Sequence, residues 1–414
     1  MEIPACKSLV GLGSTLTPSD LSSLLMRIML EPLNNSSKPS CPIGSSVRRL
    51  KEEKRAIILR YAQADDVQGL TQVLTTLASL AFLWWVAVLS VDVSLWLTAL
   101  ATLLISLFAL RTFVLMHECG HGSLFRTRSL NRGCGFCLGV IAGMPQYVWS
   151  RHHNYHHAHN GDWDKYRGLY STLSVDEYAA MTGPQQRMYR GKCAIAVAPF
   201  AGLIYVIFNP RFTWLKGTID LVSHIVKGKV AQPNRTIKAL AVGFETRYWQ
   251  SKKEYWQMFW NNVALLSIWV LMCWACGTAL FFTIYLISTS LAGGAGIVLF
   301  TVQHNFEHSY ASDSEHWDYD TGAIQGSSFL ILPRWLNWFT ANIAYHHIHH
   351  LSAKIPNYRL VSCHNEYRHL FSDVTRLKLS QIPKALKHIL WNPRAQRIIS
   401  VAEYRQQMNQ AHYG

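Results

Sequence analysis

Eight of the nineteen histidines in this 414-residue chain fall into three short boxes. His117 and His121 are spaced i and i+4. His153, His156 and His157 follow the pattern His-x-x-His-His, and His346, His349 and His350 repeat it. On a helix, positions i, i+3 and i+4 project from one face within about a turn of each other. Neutral imidazole is a common ligand for zinc, copper and iron, so each box is a partial metal site. A zinc site takes about four ligands. Eight or nine imidazoles therefore suit two ions with four or five nitrogens each, and an all-imidazole pair of ions suits iron. His152 and His347 lie next to boxes, but only His153 and His346 complete the i, i+3, i+4 spacing.

A ninth candidate follows from topology. His304 sits four residues past Phe300, where an apolar segment ends, at the depth expected of His117. Gln303 and Asn305 flank it with amides able to orient an imidazole, and His308 follows one turn later. Glu118, Asn154 and Asn305 are expected partners for imidazole N–H groups. The other histidines are read as ordinary surface or core residues.

The rest of the chain must position these boxes at a membrane. Half the residues are hydrophobic, only 15% are charged, and there are 15 Trp and 18 Tyr. Residues 70–90 carry no charge, enough for about 31 Å of helix. Residues 93–110 return, with Asp92 at the turn and Arg111 closing the apolar run. Residues 263–302 are again free of charge and too long for one helix, so Cys276-Gly277 is the expected turn between spans at about 255–275 and 278–300. The segments 134–148 and 194–208, rich in Gly or broken by Pro199, read as interfacial or re-entrant. The fold class expected is thus an all-α integral membrane protein with two transmembrane hairpins and a cytosolic helical cap. Ala292, Gly293, Ala295 and Gly296 give the last span a small-residue face for close helix packing or for an acyl chain.

The net charge of +15 admits nucleic acid or anionic lipid as a partner, and the apolar spans decide for lipid. Lys and Arg crowd the segments before each hairpin, and neither hairpin turn carries any. The positive-inside rule places every box on the cytoplasmic face. The nine cysteines suggest no disulfide framework. Residues 1–46 read as a poorly ordered extension with a short helix near 19–30, residues 47–380 as the membrane domain, and 381–414 as a basic cytosolic helix. Asp313, Glu315, Asp318 and Asp320 read as a solvated acidic patch.

The runs HECGHGSLF at His117–Phe125 and QHNFEHSY at Gln303–Tyr310, and the stretch from Gly326-Ser327-Ser328 to Ile355-Pro356-Asn357-Tyr358, resemble the membrane fatty acid desaturases, above all the acyl-lipid omega-6 (delta-12) branch. The resemblance spans about residues 55–372. It implies a di-iron centre, O₂ and formation of a cis double bond in a membrane phospholipid or other acyl lipid. It also implies two electrons from ferredoxin or cytochrome b5, a separate protein here because no haem-binding module is recognisable at either end. The membrane expected is the bacterial cytoplasmic membrane, with endoplasmic reticulum or plastid as alternatives. Sister chemistries on the same boxes are fatty acyl hydroxylation and carotenoid or alkane oxygenation. A metal transporter or metal-binding receptor is disfavoured, since the expected spans contain no His, Asp or Glu.

Overall fold

The computed structural model describes residues 45–168 and 172–413. The expected extension and its helix near 19–30 lie outside the described residues. The first described helix, α1 (Ser45–Tyr61), is the basic segment before the first span. Its apolar face holds Val47, Leu50, Ile57 and Tyr61 buried against Ile348, Leu351 and Ile355, so it packs on protein. Its polar face reaches the acidic patch: Lys51 pairs with Asp318 at 2.7 Å and Lys54 with Asp320 at 2.5 Å. Those two carboxylates are tethers for α1, not merely solvated groups.

Among the described residues, five helices are long and apolar enough to cross a membrane. Helix α2 (Asp66–Ser90) starts at Asp65, whose side chain accepts the Gln68 N–H. Helix α3 (Leu95–His121) runs past Arg111 without a break, which carries the first box on a rigid extension of the span. Arg111 is buried inside it, donating to Thr76 Oγ1 (3.0 Å), Gln72 Oε1 (3.2 Å) and the Trp338 carbonyl, with its guanidinium over the Trp338 ring. Gly122, in the left-handed conformation that glycine adopts without strain, ends α3.

Helices α4 (Arg128–Ile141) and α5 (Gln146–Ala158) form a short hairpin. At 14 residues, about 21 Å, α4 is too short to cross. Gly143 turns the chain with φ of +76°, and a Cβ there would strike Ile207. The carbonyls freed at this tip find donors inside the protein: Arg211 donates to the Gly143 carbonyl and Asn261 to that of Met144. Irregular backbone among apolar helices persists only with such partners. The hairpin returns the second box to the end of α5 nearest the first.

Helix α6 (Ile195–Ala231) is the fifth long apolar helix, where an interfacial segment was expected at 194–208. It contains a π-helical turn at Ile204–Phe208, and its Pro199 and Gly202 touch the backbone of Gly293 and Gly294. That close approach uses Gly293 and the neighbouring Gly294 of the last span for helix packing. Helices α7 (Lys252–Cys276) and α8 (Thr278–Val302) are joined at Gly277, with φ of +83°.

The chain then folds into a polar layer that holds α9 (His346–Leu351), the third box, and α10 (Asn357–Glu366). This layer is not wholly helical. Strand β1 (Leu173–Ser174) pairs in parallel with β4 (His388–Asn392), which pairs antiparallel with β5 (Arg397–Ser400). Strands β2 (Phe329–Ile331) and β3 (Arg376–Lys378) form a parallel pair. The continuous helix expected over 381–414 is therefore corrected. Its apolar runs HILWN and RIIS suit strands, Gln396 takes a positive φ at their turn, and only α11 (Val401–Tyr413) is a long helix there.

Candidate metal centre

The three boxes converge, and they do so by interleaving. One group comprises His117, His121, His153, His157 and His349; the other comprises His156, His304, His346 and His350. Within each group the ligand atoms lie within 4.8 Å of one another. Each i, i+4 pair stays together while the i+3 member of the second and third boxes crosses over. His156 leaves the second box for the smaller group, and His349 leaves the third box for the larger one.

Facing nitrogens in the first group are 2.8 Å (His117–His153), 3.2 Å (His117–His121) and 3.0 Å (His153–His157) apart, all Nε2 to Nε2. In the second group the spacings are 3.1 Å (His156–His304), 2.9 Å (His304–His346) and 3.1 Å (His346–His350). Two nitrogens each about 2.0–2.1 Å from one ion at a right angle stand about 3 Å apart. The donors therefore fit one cation per group. The Nε2 of His349, buried without a hydrogen-bond partner, agrees with that fit.

Partners outside the groups set which nitrogen faces inward. The His304 Nδ1–H donates to the Gly326 carbonyl at 3.0 Å, leaving Nε2 as the inward lone pair. Glu118 is fully buried, with Oε1 3.1 Å from His117 Nδ1 and 4.0 Å from His349 Nδ1. Its Oε2 accepts from Ser123 Oγ and from the Asn357 N–H, both at 3.1 Å. One carboxylate thus ties the end of α3 to the start of α10. Asn154 hydrogen-bonds the His121 side chain.

Burial favours the uncharged imidazoles that metal binding needs. Desolvation brings the His304 pKa down to about 4 and holds those of His153, His156, His157, His346, His349 and His350 well below the ordinary value of 6.5.

All nine sequence-derived site residues belong to the two groups. The expectation for the amides that flank His304 changes. Gln303 donates to the Ile343 carbonyl and Asn305 to that of His388, so neither orients His304; a backbone carbonyl does. His308 is exposed, with φ of +69°, because α8 ends at Val302 and the face does not continue. His347 is turned away to His364, Nε2 to Nδ1 3.1 Å, which supports the chosen register of the third box. Trp149 was not singled out from the sequence. It stacks on His153 (centroids 4.5 Å apart, planes at 16°) and donates to Tyr205 Oη. Its spacing four residues before His153 was the available signal.

Five long apolar helices beside a buried polyhistidine site define a multi-pass membrane protein with the donor set of a metalloenzyme. The sequence profile of the fatty acid desaturase family matches residues 94–379. The chain is 31% identical to a fatty acid desaturase of Bacillus subtilis over 345 residues, 83% of this chain and 88% of that protein. A probable fatty acid desaturase of Sorghum bicolor is 24% identical over 256 residues, covering 60% of this chain and 58% of the other. An sn-1 acyl-lipid omega-3 desaturase (ferredoxin) of Synechocystis is 33% identical over 69 residues, 17% of this chain and 19% of that one. The chain belongs to the fatty acid desaturase family, an oxidoreductase acting on lipid acyl chains.

Proposed function

We propose that this enzyme is a di-iron, O₂-dependent acyl-lipid desaturase that places a cis double bond in a membrane lipid chain, of the omega-6 (delta-12) type. The observation that carries this reading is the division of nine histidines, eight of them buried and His304 half-buried, into one group of five and one of four. His117, His121, His153, His157 and His349 would hold one iron, and His156, His304, His346 and His350 the other. The two irons would supply the oxidising chemistry by which O₂, two electrons and two protons take two hydrogens from adjacent methylenes, giving one C=C bond and two waters.

The residues contribute order and exclusion. Gly326 fixes the His304 tautomer, and Glu118 holds His117 in line while offsetting positive charge in a buried site. Trp149 holds the plane of the His153 ring. Burial of the remaining ligands keeps bulk water from the reacting position. The omega-6 assignment rests on the likeness of the first box, the His304 segment and the third-box region to that branch. The electron donor would be a separate ferredoxin or cytochrome b5, and the Synechocystis relative's name points to the former.

Convergence of the histidines supports four crossings and not five. Box two precedes α6 and His304 follows α8, and both contribute to the second group. An even number of crossings must separate them, and α7 with α8 supplies two. Helix α6, which carries Arg211, Lys216 and Asp220, would then lie along or dip into the face that bears the site. With Lys and Arg concentrated on that side it would be cytoplasmic, in a bacterial cytoplasmic membrane.

Expression in a bacterium without desaturases, supplied with monounsaturated acyl chains, tests the activity by gas chromatography and double-bond location. Dienes with the new bond at the omega-6 position are expected, and none from His350→Ala. A hydroxylated product, or no change in the lipids, would overturn the reading. Cysteines beside Asp92 and Gly277 should react with an impermeant reagent from outside, and cysteines beside Lys253 and Lys354 should not.

A further inference from the structure

Phe300 lies near the end of helix α8, four residues before His304, and the two rings meet with centroids 5.3 Å apart. Its ring touches ligands of both groups: centroids are 5.8 Å from His153 in the first, and 5.1, 5.3 and 6.3 Å from His156, His304 and His346 in the second. Trp149, by contrast, rests on His117 and His153 of the first group alone and is buried. Phe300 is only half-buried. Two other aromatic residues deep in the protein also keep accessible surface: Tyr166, whose ring is 4.6 Å from His156, and Tyr205, which lies near Tyr166 and accepts the Trp149 N–H. Three half-buried aromatic side chains, Phe300, Tyr166 and Tyr205, thus lie together beside the site.

We infer that Phe300 is a specificity-determining residue, the side chain against which the reacting stretch of the acyl chain is registered between the two metal positions. The inference rests on the desaturase reading and names the residue that sets where along the chain it acts. An acyl chain is apolar and comes from the side of the spans. It meets the site where apolar surface is accessible and both ligand groups are within one ring's width, and Phe300 occupies that place. Registration of this kind is a positioning effect, in which one methylene in an apolar pocket is worth about 10-fold or more in discrimination.

The test compares wild type with Phe300→Leu and Phe300→Ala in the full-length chain. Double-bond location in the products should show the preference for the native position over its neighbours falling about 10-fold, with iron per chain unchanged. A second readout needs no turnover. A phospholipid carrying a photoreactive diazirine at the desaturated carbon should crosslink to the peptide containing residue 300 in lipid nanodiscs, and one with the diazirine at the chain terminus should not. Unchanged double-bond position in both variants would overturn the inference. So would loss of iron in both, which marks a structural role, or crosslinking that ignores the diazirine position. If the wild-type enzyme forms no double bond, the desaturase reading fails and the crosslinking decides the Phe300 contact by itself.

Discussion

The two histidine groups are built from the same boxes yet are supported differently. The group of five is closed: all its members are buried, and the Glu118 carboxylate lies 3.1 Å from His117 and 4.0 Å from His349. The group of four has a backbone carbonyl behind His304, and His304 keeps accessible surface beside Phe300. On the proposed reading, one metal position would have a spare ligand and a neighbouring carboxylate, and the other would have neither. The first would be suited to hold its metal firmly, and the second to meet small molecules and substrate.

Removing one ligand from each group should expose this difference most strongly. His304→Ala or His350→Ala leaves three imidazoles, and metal analysis should find about one ion fewer per chain with no measurable turnover. His349→Ala leaves four in the other group and should keep more of its metal while still losing turnover. Equal metal loss in both variants would break the comparison.

Glu118→Gln should act on the group of five alone. Loss of an outer partner of this kind costs about 10–100-fold in metal affinity. Competition with a chelator would measure it, and equal weakening of both positions would contradict the assignment.

Arg211→Met should leave both groups occupied but lower the melting temperature, since carbonyls at the Gly143 turn lose their donor. An unsatisfied buried polar group costs about 1–3 kcal/mol. Intact metal content with a lower melting point is the expected outcome.

Acid should act on both groups before any single substitution is made. A buried imidazole whose folded pKa is depressed binds fewer protons than in the unfolded chain. For His304 the stability of the metal-free protein therefore falls as pH drops from about 6.5 toward about 4, and protons compete with metal over the same window. Thermal melts across that range should show a falling midpoint; a rise would contradict neutral imidazoles. The smallest effect belongs to His308→Ala, exposed and outside both groups, which should change neither metal content nor turnover.

Much of this arrangement was legible in residue spacing. The i, i+3, i+4 rule selected His153 over His152 and His346 over His347, and depth along the last span selected His304. The crossing of His156 and His349 between groups was not legible. Helical spacing says which side chains share a face, but not how two short helices are rotated about a common centre. The orientation of His304 was missed for a related reason: its partner is the backbone of Gly326, and a carbonyl has no sequence signature. The length of α6 was hidden by Pro199 and the glycines, which mark a close helix contact and a π-turn instead of an end. The strands near the end of the chain were hidden by basic residues flanking two apolar runs that pair with each other and with distant segments.

Iron per chain in the purified full-length enzyme, measured by mass spectrometry against protein concentration, tests the centre most directly. Two irons in the wild-type enzyme are the predicted result. A single ion per chain would contradict a site divided into five ligands and four, and saturation with a metal other than iron in an active preparation would contradict the di-iron reading.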